Sequence, residues 1–231
     1  MFAGSRLRTT AEQWGRQHTR MGTTALQYGL QSRLRTTAEQ FFSNQFYPSM
    51  FDRNTNLKLV DEYVTSDSLK RHMMAVEAAM RAYAERLGED VELWGTVGLL
   101  HDFDYERWPN PPDHPLQGSV ILRERGYSEE IIRAILSHAD YLSDKYPRQS
   151  KLEHGLYACD ELCGFLTACA MVRPGRLEGL TASSVRKKLK NLSFAAAVNR
   201  DDIQQGAEAF NVDLDEHIEF CAHAMHNAKI L

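Results

Sequence analysis

From about residue 55 onward the apolar residues recur at spacings of three and four, and strictly alternating stretches are few, which is the pattern of amphipathic helices. An all-α fold follows. Ser66 or Asp67 caps a helix running to about Leu87, with Gly88 as its stop, and a second helix spans roughly 90 to 104. "NPPDHP" then breaks the chain, because Pro115 pushes His114 towards an extended backbone. Pro115 suits the first turn of the next helix, which Gly126 ends, and Ser128 caps another that continues to about Leu142. A longer helix covers about 151 to 172 and stops at "RPG". "TASSVRKKLKN" begins a further one with Val185 and Leu189 inward, and two short helices follow near 199 to 209 and 213 to 229.

The first fifty residues do not share this pattern. They hold six Arg, no Lys and two Glu, with many Thr, Ser and Gln, and "SRLRTTAEQ" occurs at 5 to 13 and again at 32 to 40. Two copies do not make a solenoid. Residues 1–50 therefore read as a loosely ordered extension, from a local duplication or a misassigned start, with Met21 and Met50 as alternative starts. Arg-rich and acid-poor composition is also that of an organelle transit peptide. Residues 51–231 form one domain on this reading, long enough to bury a real core.

Composition narrows the partners little. A net charge of -4 gives no strong nucleic-acid signal. No apolar run is long enough to span a bilayer and there is no secretory h-region, so the expected location is the cytoplasm, or an organelle if the extension is a targeting segment. Cys159, Cys163, Cys169 and Cys221 match neither a C-x-x-C pair nor a zinc ribbon and read as buried thiols in a reducing compartment.

The chemistry enters through costly residues on apolar faces. His72 lies on one stripe with Leu69, Val76 and Ala79; His101 follows Trp94 and Val97; His138 continues Ile131, Ala134 and Ile135; Asp160 lies between Leu156 and Cys163. One inward histidine is ordinary core. Several inward groups of ligand type on different helices are not, and buried Asp102 and Asp160 need a cation or strong donors, while no Lys or Arg interleaves those faces. A divalent metal is the economical partner, and His with Asp suits iron, manganese, cobalt or zinc.

The order His72, His101-Asp102, His114, His138, Asp160, with "LLHDFDYE", "HP-x-x-G", "SHAD" and "ACDEL", resembles the HD-domain superfamily of metal-dependent phosphohydrolases, and within it a group of small bacterial-type hydrolases. The resemblance covers about residues 55 to 228, with the motifs between 68 and 172. It implies that His72, His101, Asp102 and Asp160 hold one metal and that His114 and His138 add a second, with Asp102 bridging. The Gly-Tyr-Pro element of the cyclic dinucleotide diesterases is absent, since "GYSEE" stands before His138 without proline. The acidic pair of the alarmone hydrolases is replaced by Tyr105-Glu106.

What the resemblance implies chemically is hydrolysis of a small phosphoester or nucleotide by a metal-bound hydroxide. Asp104 is the candidate general acid, with a solvated or capping carboxylate as the alternative. Arg107, Lys145 and Arg148 are candidate phosphate-binding cations near the mouth. The same six ligands also serve mixed-valent di-iron oxygenases, and a metal-stabilised binding module without turnover is a further reading. His154, His217, His223 and His226 read as surface histidines or residues behind the ligands, and the basic stretch around Arg186 as a solvated helix face. Substrate and oligomeric state are not legible.

Overall fold

The computed structural model describes residues 52–231, so the readings made for residues 1–50 lie outside the described residues. Among the described residues the regular structure is helical: α1 Arg53–Tyr63, α2 Asp67–Leu87, α3 Val91–Leu100, α4 Asp113–Glu124, α5 Glu129–His138, α6 Lys151–Met171, α7 Ala182–Leu189, α8 Arg200–Ala209 and α9 Leu214–Asn227. A single 3-10 turn, Asp140–Leu142, follows α5. The all-α expectation holds. No helix among the described residues is long and apolar enough to cross a membrane.

Capping chemistry sets most helix starts. Ser66 Oγ accepts from the Leu69 amide, Ser128 Oγ from Ile131, and Ser150 forms a reciprocal capping box with Glu153, each satisfying amides that lack an intrahelical acceptor. Gly88 and Gly126 take left-handed backbone after α2 and α4, as their use as stops requires. Three boundaries differ from the sequence expectation. Helix α1 had not been separated from the general helical pattern; Asp52 caps it and its buried face is only Asn56, Leu59 and Val60, too narrow to stand out. Helix α3 ends at Leu100 instead of 104, where His101 keeps helical dihedrals but opens a run of turns, and α5 ends at His138 instead of 142, where Ala139 turns extended.

The two longest helices, α2 and α6, run through the core, with α3 against α2, and α5 and α8 against α6. Trp94, Tyr83, Phe165, Met73, Met80 and Leu100 are among the fully buried side chains that fill the space between them. Each such side chain contributes about 1.5–3 kcal/mol by leaving water. Gly98 sets the closeness of α2 and α3: a Cβ there would lie 2.9 Å from the Glu77 Cα. The α2 and α3 backbones therefore meet closely at Glu77 and Gly98. Glu77, nearly buried on α2, is held by Arg53 Nε at 2.7 Å and Arg81 Nε at 2.9 Å, which ties α1 to the same seam.

Candidate metal centre

Five elements converge on one point. His72 comes from α2, His101 from the residue just past α3, Asp102 and Asp104 from the turn after it, His114 from the start of α4, His138 from the last position of α5 and Asp160 from the middle of α6. His114 has φ -77° and ψ 136°, the extended conformation that a following proline favours, and this breaks α4 and turns the ring inward.

The ends of α3 and α5 do similar work. A helix leaves its last carbonyls without amide partners. His101 Nδ1 lies 2.8 Å from the Gly98 carbonyl and His138 Nδ1 2.5 Å from that of Ile135. A carbonyl oxygen only accepts, so both rings carry a proton on Nδ1 and turn Nε2 to the centre. His114 reaches the same state through a carboxylate, since its Nδ1 lies 2.7 Å from Asp104 Oδ1. The negative ends of two helix dipoles also face the centre.

The presented atoms form two groups. His72 Nε2 is 3.1 Å from His101 Nε2, 3.6 Å from Asp102 Oδ2 and 3.0 Å from Asp160 Oδ1, and His101 Nε2 is 3.4 Å from each of those oxygens. On the other side His114 Nε2 is 3.2 Å from Asp102 Oδ1 and 3.3 Å from His138 Nε2, which is 3.6 Å from the same oxygen. An ion with bonds of about 2.0–2.2 Å separates neighbouring ligand atoms by roughly 2.8–3.6 Å, from octahedral to tetrahedral angles. Both groups fit. Asp102 places one oxygen in each.

Electrostatics agree with a cation site. Burial opposes charge on Asp102 and Asp160, but the facing imidazoles, His101 first, hold both carboxyls below their usual range. Burial likewise lowers His101 and His114, yet carboxylates raise His101 well above the ordinary histidine value and His114 to about 9. Without metal, protons compensate the carboxylates. Beside them, burial and the neighbouring Asp160 push the Glu161 carboxyl up to about 7.

A cavity of about 360 Å³ opens over the centre. His72, Asp102, His114, His138 and Asp160 line it, and His101 lies fully buried at its base. The other sequence candidates sit differently. Asp104 is neither solvated nor a cap: it is fully buried and takes the Gly118 amide at 2.7 Å as well as His114. Arg107 turns away, donating to the Glu62 carbonyl and covering the Tyr63 ring at 3.9 Å. Lys145 lies over Tyr146, and Arg148 binds the Ser137 carbonyl and Asp140 at the rim. None of these three lines the cavity.

Sequence reasoning passed over Tyr105, Asp140, Tyr141, Tyr157, Glu161 and Asp202, which do line it. Asp140, Tyr141 and Glu161 adjoin ligand positions in "SHADY" and "CDEL" and were findable; Asp202 arrives from α8 with no local signal.

A second group of ligand-type residues shows what the centre is not. Ligand atoms of Cys159, His217 and Cys221 lie within 4.8 Å of one another. His217, expected at the surface or behind the ligands, is fully buried at the interface of α9 with α2 and α6, the reason being its two bonds: Nε2 to the Ala158 carbonyl at 2.9 Å and Nδ1 to the Tyr83 hydroxyl at 2.7 Å. Both nitrogens are satisfied by protein, and burial raises the Cys159 and Cys221 thiols, keeping them neutral. This is hydrogen-bonded core, with all four cysteines buried and free as anticipated. A larger cavity of about 500 Å³, lined by Tyr83, Phe210 and Arg86 among others, lies away from the centre.

Fold and centre together define a helical domain built around a His and Asp ligand set. Residues 69–163 match the family model described as HD domain, which supports membership of this segment in that superfamily, most of whose members are metal-dependent phosphohydrolases. Neither the curated proteins nor the solved structures include a significant match to the chain.

Proposed function

We propose that the protein is a metal-dependent phosphohydrolase that holds two divalent ions, one between His72, His101, Asp102 and Asp160 and one between Asp102, His114 and His138, and cleaves a small phosphoester. One observation carries the reading. Nε2 atoms face each other at 3.1 and 3.3 Å beside the shared Asp102 carboxylate while three of the four rings have Nδ1 committed elsewhere, an arrangement that needs positive charge between the rings, supplied by protons in the metal-free chain and by a divalent ion when one is bound. The donor set of imidazole and carboxylate suits zinc, manganese, iron or cobalt.

When bound, such a pair lowers the pKa of a water and neutralises charge on a phosphoryl oxygen. The chain supplies orientation. Gly98 and Ile135 carbonyls and the Asp104 carboxylate fix three rings, so little reorganisation is left for the reaction. Asp104 acts through His114 and has no path to a leaving group, so the proton for that group comes from water or from a rim residue. Tyr141, whose hydroxyl donates to the His114 carbonyl, and Tyr105, whose ring meets that of His114 edge-on at 5.2 Å, narrow the mouth.

Metal content per chain, with His114→Ala and His138→Ala beside the native chain, tests the centre, and phosphate release from a broad phosphoester panel tests the reaction. Two ions falling to one in either variant is expected. A loaded protein inert across the panel, or one that consumes oxygen when loaded with iron, overturns the hydrolase reading.

A further inference from the structure

The cavity over the centre is lined by the carboxylates of Asp102, Asp140, Asp160, Glu161 and Asp202 and by no lysine or arginine of the described residues. Asp102 and Asp160 face the ligand groups. The other three do not, and their compensation is thin. Arg148 reaches Asp140 alone among them, at 2.5 Å, with its second nitrogen taken by the Ser137 carbonyl and its plane lying 3.6 Å over the Tyr157 ring. Tyr157 Oη stands 3.1 Å from Asp140 and 3.1 Å from Asp202, and one phenolic hydrogen cannot serve both. The donor to Glu161 among the described residues is the Asn199 amide at 3.3 Å.

Such a wall is a poor host for a polyanion. A phosphomonoester brings roughly two negative charges at neutral pH, which the ions meet, but every further phosphate would face the acids at reduced dielectric. A cationic far end removes the conflict. Tyr157 is buried and already carries the Arg148 guanidinium over one face of its ring, while Tyr105 and Tyr141 stand half-exposed at the rim, so aromatic rings accompany the carboxylates, a pairing that recognises cationic groups.

We propose that this cavity selects a phosphoester bearing an alkylammonium group, its phosphate at the two ligand groups and its ammonium against Asp140, Glu161, Asp202 and Tyr157. This rests on the phosphohydrolase reading. The reaction is the one above: water's oxygen bonds to phosphorus, the ester P–O bond breaks, and the departing amino alcohol takes up the proton that water gives.

The test compares 3-aminopropyl phosphate with butyl phosphate, a matched pair in which ammonium replaces methyl, on the metal-loaded full chain. Binding is read by calorimetry and turnover by phosphate release. A preference for the amine on the order of tenfold or more is expected from one charge-assisted contact, shrinking to about twofold in Asp202→Asn and Glu161→Gln. Equal handling of the two esters, or a preference that survives both substitutions, overturns this inference and leaves the hydrolase reading standing. If neither ester binds or turns over on protein that holds its ions, both fall.

Discussion

Replacing Asp104 by Asn is the most revealing single change. The carboxylate accepts from His114 Nδ1 and from the Gly118 amide, both at 2.7 Å, in a fully buried place. Asparagine has the same shape but one acceptor oxygen. If that oxygen keeps the Gly118 amide, the NH2 group faces His114, which must then bare Nδ1 and move its proton to Nε2. An Nε2–H cannot bind metal. It has a comfortable acceptor in Asp102 Oδ1 at 3.2 Å, so the metal-free variant loses little stability.

The expected result is therefore selective. Affinity of the group formed by Asp102, His114 and His138 falls about 10–100-fold, the range for losing an orienting partner behind a ligand, or about 1.4–2.8 kcal/mol. The group at His72 keeps its ion. Competition titration with a chromogenic chelator, metal content after dialysis and thermal melting of the metal-free protein read the three quantities. In the metal-free variant His114, which Asp102 and Asp104 raise to about 9 against burial, should titrate lower. Two ions bound with unchanged affinity would refute the tautomer reasoning.

Three further outcomes follow from the same geometry. Asp102→Ala should abolish both ions, since each carboxylate oxygen belongs to a different group, whereas Asp160→Ala should leave one; metal analysis distinguishes them. Apparent metal affinity should fall on acidification, because His114 holds its proton up to about 9 in the metal-free state and the ion must displace it; the loss is about tenfold per pH unit per displaced proton, and chelator competition at pH 6 and pH 8 measures it. Gly118→Ala would place a methyl 2.7 Å from Asp104 Oδ2 and should dislodge that carboxylate, lowering stability by about 1–3 kcal/mol and weakening the His114 group, as melting and metal content will show.

What was legible in the chain was local. Serines at helix starts, glycines at stops and apolar residues at helical spacing marked the helices, and the order of His and Asp pointed to the side chains that the fold brings together. What periodicity could not show is where a turn closes. Asp104 reads in the sequence as a general acid, or else a solvated or capping carboxylate, because the helix is continued to it; once α3 ends at Leu100, the turn folds that carboxylate under His114, ten residues on. Arg107 was placed at the mouth by proximity, but the Tyr63 ring and the Glu62 carbonyl, on a helix the sequence pattern did not separate, draw it away. His217 reads in the sequence as a surface histidine or one behind the ligands, because nothing local announces a tyrosine 134 residues distant as its partner.

Asp102 divides its two oxygens between the two groups, and with two ions bound as proposed that division would make loading a linked event. The first ion to arrive fixes the carboxylate's orientation and discharges part of its repulsion with Asp160, so the second finds a ligand already set. Against this stands repulsion between two cations a few ångströms apart. Which tendency prevails fixes whether a singly loaded chain ever accumulates, and hence whether the protein responds to scarce metal by degrees or as a threshold device.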